Sequence, residues 1–143
     1  MATVAQILKS KPDRTVHTIA PTASVFDAVK LMAEKNIGAL VVSEGEAVVG
    51  VLTERDYARK IVLMAKSSKD TPVREVMTSQ VMYVSPDRTS EECMALMTES
   101  RVRHLPVMDK GRMVGLVSIG DLVKDVISEQ KFVIQQLEQY ITH

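Results

Sequence analysis

The sequence predicts an α+β fold: two β-α-β-β-α repeats packed with pseudo-twofold symmetry, followed by a C-terminal helix. Three observations carry that reading. The chain lies on itself at an offset of 65 residues without a gap from position 81 onward, and Val16, Pro21, Leu31, Met32, Glu34, Leu40, Val42, Val49, Gly50 and Asp56 meet identical partners. Each repeat alternates short β-rich runs with segments of helical periodicity. Each also closes on one motif, since Gly50-Val51-Leu52-Thr53-Glu54-Arg55-Asp56 returns as Gly115-Leu116-Val117-Ser118-Ile119-Gly120-Asp121. A unit this small cannot cover both faces of its own sheet, so the two repeats are expected to share one core.

The elements follow in order. Residues 1–15 begin with Thr3-Val4-Ala5-Gln6-Ile7-Leu8, read as a short helical turn before a polar loop, and Pro72-Val73-Arg74-Glu75-Val76-Met77 resembles that opening. Residues 16–19 make a strand ended by Pro21. Ser24 with Asp27 three positions later caps a helix whose core stripe is Val25, Ala28, Val29 and Met32, stopping near Asn36. A hairpin follows, 39–42 and 48–52 around a polar loop, and the pattern from Glu54 to about Ala65 is helical. The polar run Lys66-Ser67-Ser68-Lys69-Asp70 is the linker. The second copy keeps the order, with Thr89 and Glu92 in place of Ser24 and Asp27. The domain limits are therefore 1–70 for the first repeat with its linker, 71–127 for the second, and 128–143 for an amphipathic helix. Ile127, Ile134, Leu137 and Ile141 stripe that last helix, which has no counterpart in the first repeat.

Composition narrows the function. Eighteen basic residues balance 18 acidic ones, and the aromatic content is 3%. There is neither a field to attract nucleic acid nor a supply of rings to stack its bases. No apolar run approaches the ~20 residues of a membrane span, and no secretory signal is present, so a cytoplasmic protein without membrane partners is expected. One Cys and three scattered His residues give no zinc spacing, and no metal is expected. Cys93 falls on a core-facing helical position and reads as buried filler.

The closing motif runs a strand out of a glycine into a Thr or Ser and then an Asp one turn on, an arrangement that leads a helix N-terminus toward polar ligands. Thr53 with Asp56 and Ser118 with Asp121 also fit plain capping boxes. Ser24/Asp27 and Thr89/Glu92 share that spacing without the preceding glycine-led strand, and one of them tolerates Glu. Capping thus accounts for the hydroxyls but leaves the repeated aspartate over.

The doubled motif, together with Arg103-His104-Leu105-Pro106-Val107 before its second copy, resembles the CBS-domain pair, the regulatory module named after cystathionine beta-synthase, in its stand-alone form. The resemblance covers almost the whole chain. It implies a non-enzymatic sensor that binds an adenine nucleotide (AMP, ADP, ATP, NAD or a related adenosyl ligand) in clefts between the repeats. It also implies ribose contacts from Asp56 and Asp121, and ribose or phosphate contacts from Thr53 and Ser118. The adenine positions it implies are Thr18, Ile19 and Ala20 with Ile37, Gly38 and Ala39, and Tyr83 and Val84 with Val102, Arg103, His104 and Pro106. Arg55 faces Gly120 across the repeat, while Arg103 and His104 face Gly38 and Ala39, so two unequal sites are expected, with phosphate contacts from Arg55, Arg103 and His104. NAD would enter by its adenosine half, because no GxGxxG fingerprint is present. A homodimer through the C-terminal helix and an unidentified protein partner complete the expectation. The alternative is a structural interaction module with empty sites. Replacing either aspartate is expected to weaken one site at little cost in stability.

Overall fold

The segment that precedes each repeat in the sequence docks on the other repeat. In the computed structural model, which describes residues 2–142, Thr15–Met82 form one compact unit, and Met1–Arg14 join Tyr83–His143 in the other. The sequence repeat, cut at 70/71, and the compact units, cut at 14/15 and 82/83, therefore do not coincide. Backbone hydrogen bonds give the reason. In the first-repeat unit Val73 and Arg74 donate to the carbonyls of Ala23 and Pro21, and Val25 donates to Thr71. In the second-repeat unit Val4 and Ala5 donate to Arg88 and Pro86, and Ser90 donates to Ala2. These are the same three bonds, made by the 71–78 segment in one unit and by the N-terminal segment in the other.

The first-repeat unit holds β1 (Thr18–Ile19), α2 (Val25–Lys35), β2 (Ala39–Glu44), β3 (Ala47–Thr53) and α3 (Glu54–Tyr57), which widens into a π-helical turn at Ala58–Val62. The label α1 belongs to Val4–Ser10 in the other unit. β1 runs parallel to β2 and β2 antiparallel to β3, giving a three-stranded sheet in the order β1-β2-β3. Ser24 Oγ accepts the Asp27 N–H at 3.1 Å to start α2, and Asn36 ends it in the left-handed conformation, φ 54°, which Asn tolerates better than most residues. Val25, Ala28 and Met32 bury the predicted stripe against Leu40, Val42 and Leu52 of the sheet, and Val73 and Val76 of the docked segment close the same core.

The second-repeat unit adds α4 (Ser90–Ser100), β4 (His104–Asp109), β5 (Arg112–Ser118) and α5 (Ile119–Thr142). Its core gathers Cys93, Met97, Leu105, Val107, Val117 and Leu122 around Val4 and Ile7 of α1. Cys93 is fully buried, as its helical position predicted, and burial pushes its thiol pKa up.

Two expectations change here. The second repeat lacks its first strand: only Val84 bridges β4, opposite Val107. Pro106 supplies the physical reason. In the first repeat Val41 donates its N–H to the carbonyl of His17, but Pro106, one repeat on, has no N–H to give, and the strand shrinks to the bonds around Val84. The C-terminal helix is likewise no separate element beginning at 128. It continues the helix that closes the second repeat, 24 residues without a break, and His143 of the expected range lies outside the described residues. Among the described residues no helix is long and apolar enough to cross a membrane.

Candidate functional site

Both glycine-to-aspartate motifs fold as expected, a β-strand running straight into a helix, and their local bonds match. Thr53 Oγ1 accepts the Asp56 N–H at 3.1 Å while Asp56 Oδ2 accepts the Thr53 N–H at 3.0 Å. Ser118 Oγ accepts the Asp121 N–H at 3.2 Å while Asp121 Oδ2 accepts the Ser118 N–H at 2.9 Å. Both are complete capping boxes, so the aspartate that the capping argument left over is itself part of the cap. A hydroxyl that accepts a cap bond still carries its own proton, and Thr53 and Ser118 keep that donor for a ligand oxygen.

The capping box at the start of α4 is a control. Thr89 and Glu92 make the same two backbone bonds, but Glu92 lies on the surface, paired with the exposed Arg88. The Asp56 and Asp121 side chains are only 12% and 16% exposed, and each meets a lysine. Lys60, one turn along the helix from Asp56, puts Nζ 3.5 Å from Oδ1 and donates to the Val76 carbonyl at 2.9 Å. Lys11, just after α1, puts Nζ 3.0 Å from Asp121 Oδ2 and donates to the Leu116 carbonyl, also at 3.0 Å. Burial pushes the Asp121 carboxyl up; the Ser118 N–H and the Lys11 ammonium outweigh it and hold the pKa below the ordinary carboxylate value.

The glycines of the motifs make room for the docked segments. A Cβ on Gly50 would lie 2.5 Å from Met77 Sδ, and one on Gly115 would lie 2.8 Å from both δ-carbons of Leu8. They are the seats on which the two docked segments rest.

The remaining candidates fall around the turns unequally. In the first-repeat unit Ala39 pairs with Thr53, and Gly38 accepts the Glu54 N–H at 3.1 Å, so the start of β2 flanks the 53–56 turn, with Ile37 half-buried just before it. Thr18 and Ile19 pair with Val41 and Val42, which carries Ala20 away from that end of the sheet. In the second-repeat unit His104 pairs with Ser118, and Arg103 accepts the Ile119 N–H at 2.9 Å, with Val102 half-buried beside it. Pro106 and Val84 sit further along β4, and Tyr83 is exposed. Arg55 is exposed, and Gly120 has only ordinary contact room, 3.6 Å from a built Cβ to Ser118 Oγ. The asymmetry expected from the pair Arg55 and Gly120 is carried more directly by Lys60 and Lys11. Lys60 was legible as the i+4 partner of Asp56. Lys11 stands 110 residues from Asp121, and no sequence spacing announces it.

Comparison with known proteins identifies the family. Residues 4–63 and 73–128 each match the CBS domain family. The chain belongs to that family. The CBS domain-containing protein CBSX3, mitochondrial, of Arabidopsis thaliana is 41% identical, over 97% of this chain and 71% of its own length. A solved protein with CBS domains from Burkholderia ambifaria MC40-6 superposes with a TM-score of 0.88 at 60% identity, covering 90% of this chain and 96% of that one. A hexameric CBS-CP12 protein from bloom-forming cyanobacteria superposes with a TM-score of 0.75 at 30% identity, covering 85% and 70%. CBS domains are regulatory modules that commonly bind nucleotides, and this chain carries a pair of them. Among the described residues no group of three or more His, Cys, Asp or Glu could hold a metal ion.

Proposed function

We propose that this CBS pair is a non-enzymatic sensor that binds an adenine nucleotide (AMP, ADP, ATP, or NAD through its adenosine half) at the 53–56 and 118–121 turns and reports the bound state to a protein partner. The observation that carries the reading is the pair of matched, largely buried aspartates, each joined to its own hydroxyl residue in a capping box and each met by a lysine. A cap alone does not need its carboxylate drawn out of water, as Glu92 shows. A carboxylate can accept both hydroxyls of a ribose diol, and the Thr53 and Ser118 protons suit a ribose or phosphate oxygen.

The sites differ in what they leave open. Asp56 has both oxygens engaged, Oδ2 by Thr53 and Oδ1 by Lys60. At Asp121 both bonds fall on Oδ2, leaving Oδ1 toward a diol. The 118–121 turn is accordingly the stronger of the two for ribose. The adenine is assigned to the start of β4 beside it, around Arg103 and His104, and to the start of β2, around Gly38 and Ala39, at the other turn.

The oligomer belongs to the same reading. Val123, Ile127, Ile134, Leu137 and Ile141 on α5 are all exposed and follow steps of four and three residues around a single polar Gln130, the seam of a coiled coil. A second copy of the helix is the natural cover, and a homodimer through α5 follows.

A thermal-shift screen tests the function. A nucleotide at 100 times its Kd adds roughly 2.7 kcal/mol to the folded state. A shift with adenine nucleotides that Asp121→Asn reduces supports the proposal. A flat screen across AMP, ADP, ATP and NAD overturns it in favour of an interaction module.

A further inference from the structure

The two lysines reach their aspartates by different routes, and the difference bears on which ligands the second site accepts. At the first turn the cation comes from the same helix, Lys60 being four residues after Asp56. The residue one repeat on from Lys60 is Asp125, so α5 sets a second carboxylate one turn from Asp121 in place of the ammonium. Asp125 is half-buried, and its Oδ2 is buried without a hydrogen-bond partner. Left to its own helix, this turn would hold two carboxylates one turn apart and no cation.

Lys11 reverses that balance from elsewhere in the chain. Its position is set firmly: α1 is anchored by buried Val4 and Ile7, by the bonds to Arg88 and Pro86, and by Leu8 seated over Gly115. Its ammonium spends one donor on the Leu116 carbonyl and one on Asp121. A third remains, and the side chain is 25% exposed, so the group is reachable.

We propose that Lys11 is the residue that lets the Asp121 site take a phosphate-bearing nucleoside, its ammonium offsetting Asp121 and Asp125 and giving its third N–H to a phosphate oxygen. This rests on the nucleotide-binding reading given above. An uncharged nucleoside needs the Asp121 carboxylate but not the compensation, so Lys11 sets the preference for nucleotide over nucleoside.

The test is titration calorimetry of the full chain with AMP and with adenosine, following the binding component that Asp121→Asn removes. That variant keeps an oxygen for the Ser118 N–H. Lys11→Met is expected to weaken AMP by about tenfold or more, the size of a lost charge-assisted hydrogen bond, while changing adenosine by less than about threefold. Lys11→Arg should keep AMP binding. Lys11→Met combined with Asp125→Lys, which rebuilds the Lys60 arrangement on α5, should restore it. Equal losses for AMP and adenosine, or no loss for either, overturn the role of Lys11 while leaving the site in place. Should Asp121→Asn remove no component from the wild-type titration, the binding reading itself fails and this proposal falls with it.

Discussion

Leu8 occupies the space that a side chain on Gly115 would need, with both of its δ-carbons 2.8 Å from where a Cβ would stand. Met77 does the same over Gly50, where the backbone carbonyl of Thr78 also lies 3.0 Å from a built Cβ. The two glycines that mark the repeat are thus where each borrowed segment presses closest to its strand.

Alanine at either glycine should destabilise the fold, and to different degrees. Leu8 can swing its end away, so Gly115→Ala should cost about 1 kcal/mol; the Thr78 carbonyl cannot, so Gly50→Ala should cost about 2–3 kcal/mol. Urea unfolding of both variants checks this. Leu8→Ala in the Gly115→Ala background should cost less than Leu8→Ala alone.

The aspartates are structural as well as candidate ligand groups. Each closes a capping box and holds a lysine, so Asp56→Ala and Asp121→Ala should each lower stability by about 1–2 kcal/mol rather than leave it unchanged. Asn, which retains a cap acceptor, should recover part of the loss. Equal melting temperatures for the alanine variants and wild type would contradict the capping geometry.

Stability should fall in acid in a way that Asp121 controls. Its folded-state pKa is lowered, so its contribution is present in full above the unfolded value of about 3.9 and is lost as pH drops through the folded value. Denaturation curves measured from pH 6 down to about pH 3 should show a shallower decline for Asp121→Asn than for wild type. Lys11→Met should flatten the decline as well, because the folded-state pKa it helps depress moves back toward the unfolded value.

Self-association should depend on the outer stripe of α5. Ile134→Glu puts a charge at the middle of the seam and should give a monomer by light scattering at concentrations where the unchanged chain is a dimer. A wild-type monomer at micromolar concentration would remove α5 as the interface. The fold should survive the change, since Ile134 is exposed and lies outside both buried cores.

What the sequence made legible was periodic or local. Capping spacings, the Val25/Ala28/Met32 stripe, the αL stop at Asn36 and both hairpins depend on neighbours within a few residues, and each formed near its predicted place. The missing strand at Val84 was local too, since Pro106 stands in plain view, but its effect lies in a hydrogen bond to a distant segment. The continuity of α5 went unread because a repeat boundary is not a helix stop, and no Gly, Asn or Pro interrupts the chain near 127. The lysine of each site divides the same way: Lys60 lies one turn from its partner and Lys11 most of the chain away. The exchange of docked segments was half visible, in the likeness between the opening residues and the stretch from Pro72. Which repeat each one serves is a matter of three-dimensional pairing.

That exchange gives the order of synthesis a part in folding. Thr15–Met82 can close as a unit before the second repeat exists, whereas α1 is made first and its proper seat, with Gly115 at its centre, is made late. In the interval the only finished seat is the one built around Gly50, which offers α1 the same three backbone partners. The 72–78 segment arrives next to the repeat it docks on and is favoured there by proximity, whereas α1 closes a loop of about 80 residues to reach its own seat.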